Sequence, residues 1–473
     1  MLFHSVQFLA FLAATFALFW ALARWKGPRL GVLLAASVVF YAAWSPFPLL
    51  LFAAYAGVNT VAGRLLTRLT DPRARKAVVT TAVVLHLAGL CTFKYLDLFL
   101  RTGRQLAAWA GLPVAPHEAL GLLLPVGLSF VAFQAISYVV DVYRNEADGR
   151  HSYPKQLLHV LFFPHLVAGP IVRAQDLLEQ FDRPPRLTPE DGSRALFRIA
   201  LGVGKKLLVA DVLSVGLVDP VFTTPQGFSS AECALAVVAY SLQLYFDFSA
   251  YSDIAIGAAA LFGFHFPENF HKPYHARNLF EFWNRWHVSL STWLRDYLYR
   301  PLGGNRTTRL KVLRNVLVVM MLGGLWHGAD WKFAVWGTLH GLLLCLTRLW
   351  WWWRGKPSEE AHWARTALGI ATTFTLVCLS RIVFRAQDLT AAGVMAQQLL
   401  KGTWGVGSVQ GAAWAGLAAA TLAYALPRSA FDGALALFQR VPVPVRAAAL
   451  VGLGLVIRQV ARFEVQPYIY FQF

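Results

Sequence analysis

Two histidines in this sequence, His287 and His327, have surroundings that suit an imidazole to act as a base. Apolar surroundings disfavour the charged imidazolium, so a desolvated histidine stays neutral and keeps a lone pair that can take a proton from a hydroxyl. His287 stands in NLFEFWNRWHVSLSTWLRDYLYRPLGGN (278–305), and His327 in VLVVMMLGGLWHGADWKFAVWGTLHG, after Gly323-Gly324 and before Gly328. No G-x-S-x-G elbow accompanies either, so a lipase-type triad is unsupported. The competing reading is packing, in which each histidine hydrogen-bonds across a helix interface. The residues alone leave both readings open. Asp247 and Asp253, in QLYFDFSAYSDIAIG, are carboxylates inside an apolar run, costly unless paired or facing a cavity. They suit a proton relay or a structural hydrogen bond equally. His265, His271 and His275 form a third group, but Pro273 interrupts the helix that would align them and no carboxylate or cysteine completes a ligand set; no metal is expected.

The element that must position His287 reads as one helix from Asn278 to about Tyr299. At 3.6 residues per turn, Trp283, Trp286, Leu290, Trp293, Leu294 and Tyr297 share an apolar face. Asn284, His287, Ser291 and Arg295 follow at spacings of three, four and four as a polar stripe. Asn278 and Glu281 resemble a capping box, and Pro301 with Gly303-Gly304 ends the helix. Around this element the chain is greasy: 57% of its 473 residues are hydrophobic and 14% charged, with a mean hydropathy of +0.48. Apolar runs approach the roughly 20 residues that cross a bilayer. The expectation is an all-α polytopic membrane protein with about 10 to 12 hydrophobic helices, some re-entrant, forming one domain over residues 1–473. The net charge of +18 sits in short loops, which points to anionic lipid headgroups and not to nucleic acid. Four widely separated cysteines read as packing residues.

The N-terminal apolar run, preceded by MLFHSVQ without a basic residue, reads as a first spanning helix (Val6 to Ala23) and not a cleaved signal. A second span ends at Ser45-Pro46-Phe47-Pro48 and a third near Gly63. Basic loops at Arg24–Arg29 and Arg64–Lys76 are separated by those two spans, which places the N-terminus outside. A fourth span covers Ala77 to Phe93, Tyr95 to Pro116 reads as interfacial, and a further span runs from Leu120 to Val140. Pro164, Gly169 and Pro170 in LLHVLFFPHLVAGPIVR predict a broken or re-entrant helix, and Arg173 to Ser193 reads as a surface loop. The tryptophans from Trp350 to Trp353 read as an interfacial anchor. Nine basic residues against three acids between His265 and Val316 make that stretch the most basic of the chain.

QLYFDFSAYSDIAIG, WNRWHVSLSTWLRDYLYRPLGGNR and LGGLWHGADWKFAVWGTLHG strongly resemble the membrane-bound O-acyltransferase family, as do FQAISYVVDVYR, FFPHLVAGPIVR and the terminal YIYFQF. Within that family the stronger likeness is to the membrane subunit of alginate O-acetylation, and a more distant one is to the D-alanyl-transfer protein of teichoic acids. Ala250 departs from the expected glycine of DFSGYSD. The resemblance implies a ring of helices around a central funnel. It also implies that His327 is the principal catalytic residue and His287 the second polar position. With it the candidate site comprises His327 and His287 for catalysis, and Asn284, Arg285, Ser291, Arg295, Trp326 and Asp247 for substrate. Acetyl-CoA or another acyl thioester is the expected donor, approaching a basic face around Arg285, Arg295 and Arg300. No cofactor is bound permanently. The acceptor is a polysaccharide hydroxyl, or a serine of a periplasmic acetyltransferase-type partner, and the location a bacterial inner membrane. Rival readings are a transporter or flippase, which often shows inverted repeats that are not seen here, and a non-catalytic subunit of a polysaccharide export complex.

Overall fold

A computed structural model describes residues 5–115, 120–166, 169–357 and 362–460; the terminal YIYFQF motif lies outside them. All regular structure among these residues is helical. Six helices are long and apolar enough to cross a membrane by length and composition, and five shorter apolar helices accompany them. The chain is an all-helical polytopic membrane protein. It divides into two compact units, residues 1–187 with 259–267 and 328–330, and residues 188–258 with 268–327 and 331–473.

The first unit holds α1 (Val6–Ala21), α2 (Lys26–Ala42), α3 (Pro48–Arg68), α4 (Pro72–Leu90), α5 (Leu96–Trp109), α6 (Leu128–Tyr143), α7 (Tyr153–Leu161) and α8 (Ala174–Asp182). Capping chemistry sets several starts: the Ser5 hydroxyl accepts from the Phe8 N–H at 3.1 Å, and Asp71 caps α4 with Pro72 at its first position. The break after α7 falls at the predicted prolines. Three expectations are corrected. A π turn at Cys91–Tyr95 carries α4 straight into α5, so the helix continues to Trp109 where an end near Phe93 was expected. The span expected from Leu120 becomes helical only at Leu128, after Gly127 in a left-handed conformation (φ 78°). The expected loop 173–193 contains α8, whose Leu177, Leu178 and Phe181 are buried beneath a polar face. That polar face lowers the segment's hydropathy enough to mimic a loop.

The second unit begins with α9 (Pro189–Gly204), whose Thr188 cap accepts from Asp191 N–H at 3.1 Å, and continues through π and α turns to Thr223. It then contains α10 (Ser230–Leu261), α11 (Leu279–Arg285), α12 (Val288–Leu294), α13 (Arg309–His327), α14 (Trp331–Arg354), α15 (Trp363–Arg385), α16 (Leu389–Leu400), α17 (Gly411–Ala425), α18 (Arg428–Arg440) and α19 (Val443–Val460). α13 and α14 pack along each other, and glycine makes that possible. A Cβ on Gly324 would collide with the Phe333 carbonyl and the Gly337 backbone, and one on Gly337 would collide with the Met320 carbonyl. The buried carboxylates of α10 are paired, as their burial requires: Asp247 with Lys206 at 2.8 Å, and Asp253 with Lys205 at 2.6 Å and Arg198 at 2.9 Å.

Candidate active site

The 278–305 stretch is not one helix. Asn278 caps α11 as expected, its side-chain oxygen accepting from Glu281 N–H at 2.9 Å. The Glu281 carboxylate, however, binds Arg277 and Arg285. α11 stops at Arg285, Trp286 is extended, and His287 adopts φ 44°, ψ 55°, the left-handed region, before α12 starts at Val288. A non-glycine residue there costs energy and needs outside support. The support comes from residues 269–271: Val288 N–H donates to the Asn269 carbonyl at 3.0 Å, and His271 N–H to the Arg285 carbonyl at 2.9 Å. The polar stripe is therefore cut at His287, which alters what its members face.

Asn284, Ser291 and Arg295 line a cavity of about 550 Å³ together with His327. Its lining is mostly apolar, with Leu290, Leu294, Val316, Val319, Met320, Trp336 and Leu344 beside the bare main chain of Gly323 and Gly324. Among the lining residues Arg295 and Asn305 are exposed and Arg348 is half-buried, while His327 is only 6% exposed. Arg348 donates to the Asn305 side-chain oxygen at 2.7 Å, and the Tyr299 hydroxyl donates to the same oxygen at 2.8 Å. Arg295 is held by Asp296 (2.9 Å), which also takes Arg300 at 3.0 Å, so two arginines and one carboxylate leave a net positive charge there. A mostly apolar cavity with a few polar groups in its lining is the ordinary form of a small-molecule site.

His327, the last residue of α13, packs edge-on against Trp336 (5.4 Å between ring centroids) and Phe384 (5.3 Å). His287 is fully buried and meets Phe248 edge-on at 4.7 Å. Trp326 joins them: its indole lies 5.9 Å from the His287 ring and 5.1 Å from the His327 ring. The two candidate bases thus share one tryptophan, though His287 and Trp326 do not line the cavity. Arg285, bound to Glu281, is also absent from the lining, and Asp247 is occupied by Lys206.

Several residues had no period or motif to mark them. Asn269 accepts from Ser289 N–H at 3.2 Å and from the Ser289 hydroxyl at 3.0 Å, and lies 3.2 Å from His287 Nδ1. Arg381, 1% exposed, places its guanidinium 4.7 Å from the Trp286 ring centroid, 5.7 Å from that of Trp336 and 5.6 Å from that of Phe384. His340 meets the Ser380 hydroxyl at 2.9 Å. Arg348 stands forty-three residues from Asn305, a separation only tertiary structure closes. The one available signal was for Asn269, which belongs to the same FHFPENFHKPYH run as the three histidines.

Residues 142–384 match the membrane-bound O-acyltransferase family. The chain is 38% identical over 418 residues to the probable alginate O-acetylase AlgI of Pseudomonas aeruginosa, covering 88% of this chain and 78% of that protein. It is 33% identical to the peptidoglycan O-acetyltransferase of Helicobacter pylori, covering 81% and 75%, and 30% identical to the teichoic acid D-alanyltransferase of Streptococcus thermophilus, covering 56% and 68%. Matched over half its length by the family and over most of it by such relatives, the chain belongs to the membrane-bound O-acyltransferases and is an O-acyltransferase.

Proposed function

We propose that this enzyme moves acetyl groups from a cytoplasmic thioester, acetyl-CoA, toward hydroxyls of an extracytoplasmic polysaccharide in a bacterial inner membrane, with its N-terminus periplasmic. The acceptor is a sugar of an alginate-like polymer, or a serine on a periplasmic partner that completes the transfer. The observation that carries this reading is a cavity whose mostly apolar lining includes Arg295, Arg348 and His327. Arginine guanidinia suit the phosphates of the donor, and the apolar lining suits its slender thioester arm. In the reaction the hydroxyl oxygen attacks the thioester carbonyl while His327 takes its proton. The tetrahedral adduct then collapses, the C–S bond breaks, and the thiolate leaves with the proton from His327. Asn284 and Ser291 orient the donor along the wall, and His287, against the indole of Trp326, orients the acceptor or meets the developing oxyanion.

Arg285 and Asp247 act through structure in this scheme, since each is held in an ion pair away from the cavity. Those ion pairs also remove the motive for a proton-carrying transporter. The test is acetyl transfer by purified protein in proteoliposomes, supplied with labelled acetyl-CoA and an alginate or a partner protein. His327→Asn is expected to lose about 100- to 10,000-fold in rate while inserting and melting normally. His287→Asn is expected to be milder, because an amide partly preserves orientation. Near-normal transfer by His327→Asn would move the role of base to His287.

A further inference from the structure

The reading above leaves two roles for His287, donor to an oxyanion or acceptor from a hydroxyl, and they require opposite tautomers. An imidazole with its proton on Nδ1 presents a lone pair at Nε2, whereas the other tautomer presents an N–H there. Which one exists is set by whatever faces Nδ1.

Asn269 faces it. The Asn269 side chain is fully buried, and its orientation is not free, because the amide atom next to Ser289 also meets that residue's backbone N–H at 3.2 Å. A backbone N–H can only donate, so the atom must be the carbonyl oxygen and not the NH2 group. The NH2 group accordingly donates to the Ser252 hydroxyl, at 3.3 Å. The same oxygen stands 3.2 Å from His287 Nδ1. Two lone pairs facing each other at that distance would repel, so Nδ1 carries the proton. The Ser289 hydroxyl, 3.4 Å from Nδ1, is already donating to the Asn269 oxygen at 3.0 Å. The Asn269 backbone meanwhile accepts from Val288 N–H at 3.0 Å, which braces the left-handed backbone of His287 itself.

We infer that Asn269 is a positioning residue that fixes His287 as the Nδ1–H tautomer, so that Nε2 carries a lone pair and the buried ring, in contact with Trp326 and outside the cavity lining, can accept from the acceptor hydroxyl and cannot donate to the oxyanion. The assignment of a role rests on the proposed function; the tautomer does not. One residue thus fixes both, its carboxamide the ring's proton and its backbone carbonyl the turn that aims the ring.

The test is the nitrogen NMR spectrum of protein with 15N-labelled histidine in lipid at neutral pH, with the His287 signals assigned by their loss in His287→Asn. The expected result is a protonated, pyrrole-type Nδ1 and an unprotonated, pyridine-type Nε2. Asn269→Asp keeps an acceptor oxygen and is expected to retain this pattern, whereas Asn269→Leu is expected to lose it and to lower acyl transfer about 100-fold through misplacement of the ring. A pyridine-type Nδ1 in the unaltered protein would overturn the inference, whether or not Asn269→Leu folds. An Asn269→Leu spectrum unchanged from the parent would overturn it too. Should the unaltered protein show the expected tautomer yet transfer no acetyl group, the functional reading fails and the tautomer assignment stands.

Discussion

His287 lies between α11 and α12, outside the long apolar helices, and its burial pushes its pKa down to about 3. Through the neutral range it is therefore an uncharged ring whose contribution to transfer is insensitive to pH, and the limbs of the rate profile belong to other groups. Its folding equilibrium is a different matter. An unfolded histidine titrates near 6.5, so between about pH 6.5 and pH 3 the unfolded chain binds a proton that the folded chain refuses. Stability contributed by the neutral ring is present above that window and is lost as pH falls through it, at up to about 1.4 kcal/mol per pH unit. Replacing His287 by asparagine removes the term. The drop in melting temperature between pH 6.5 and pH 4.5 is expected to be smaller in His287→Asn than in the parent, and an equal drop would place the acid sensitivity elsewhere.

At the scale of elements, the α13–α14 pair holds His327 at the end of its first helix, and small residues set its spacing. Gly324→Val is expected to cost about 1–3 kcal/mol or more of stability, because its Cβ would meet backbone, which cannot rotate away. Gly341→Ala is expected to cost less, since its Cβ would meet the side chains of Leu317 and Met320 at 3.2 Å; thermal unfolding in detergent ranks the two. Lys206→Met is expected to cost about 3–5 kcal/mol by removing the cation that pairs with both Asp247 and Asp211, and Asp247→Leu in the same protein to recover part of it. Much of this architecture was legible beforehand. Apolar runs marked the spanning helices, glycines and prolines the breaks, and Asn278 the start of α11. The turn at His287 was not legible, because the apolar and polar periods run through it without interruption. Its cause is hydrogen bonding from a segment about eighteen residues earlier in the chain. Arg348 and Arg381 were illegible for the same reason: a lone arginine in an apolar helix carries no period, and its partners arrive only on folding.

For the whole molecule, the proposed direction of transfer depends on orientation in the bilayer. The basic stretches Arg24–Arg29 and Arg64–Lys76 lie at the start of α2 and at the α3–α4 junction, and the proposed orientation puts both in the cytoplasm by their excess of positive charge. A reporter fused near Arg73 is expected to read cytoplasmic and one near Ser45 periplasmic. The opposite pattern would reverse the side from which the thioester enters. In sealed proteoliposomes of known orientation, donor supplied to the face bearing Arg73 is expected to support transfer, and donor supplied to the other face is not.

In the proposed donor site, Gly323 of α13 also bears on what size of acyl group the cavity can take. At Gly323 the cavity lining is bare main chain, already at its minimum, and a Cβ added there would come within 2.9 Å of Leu294 Cδ1. Substitution there can only narrow the cavity. For that proposed site, room for a bulkier acyl group would come from Leu290 or Leu294, which also line the cavity and have side chains to shorten.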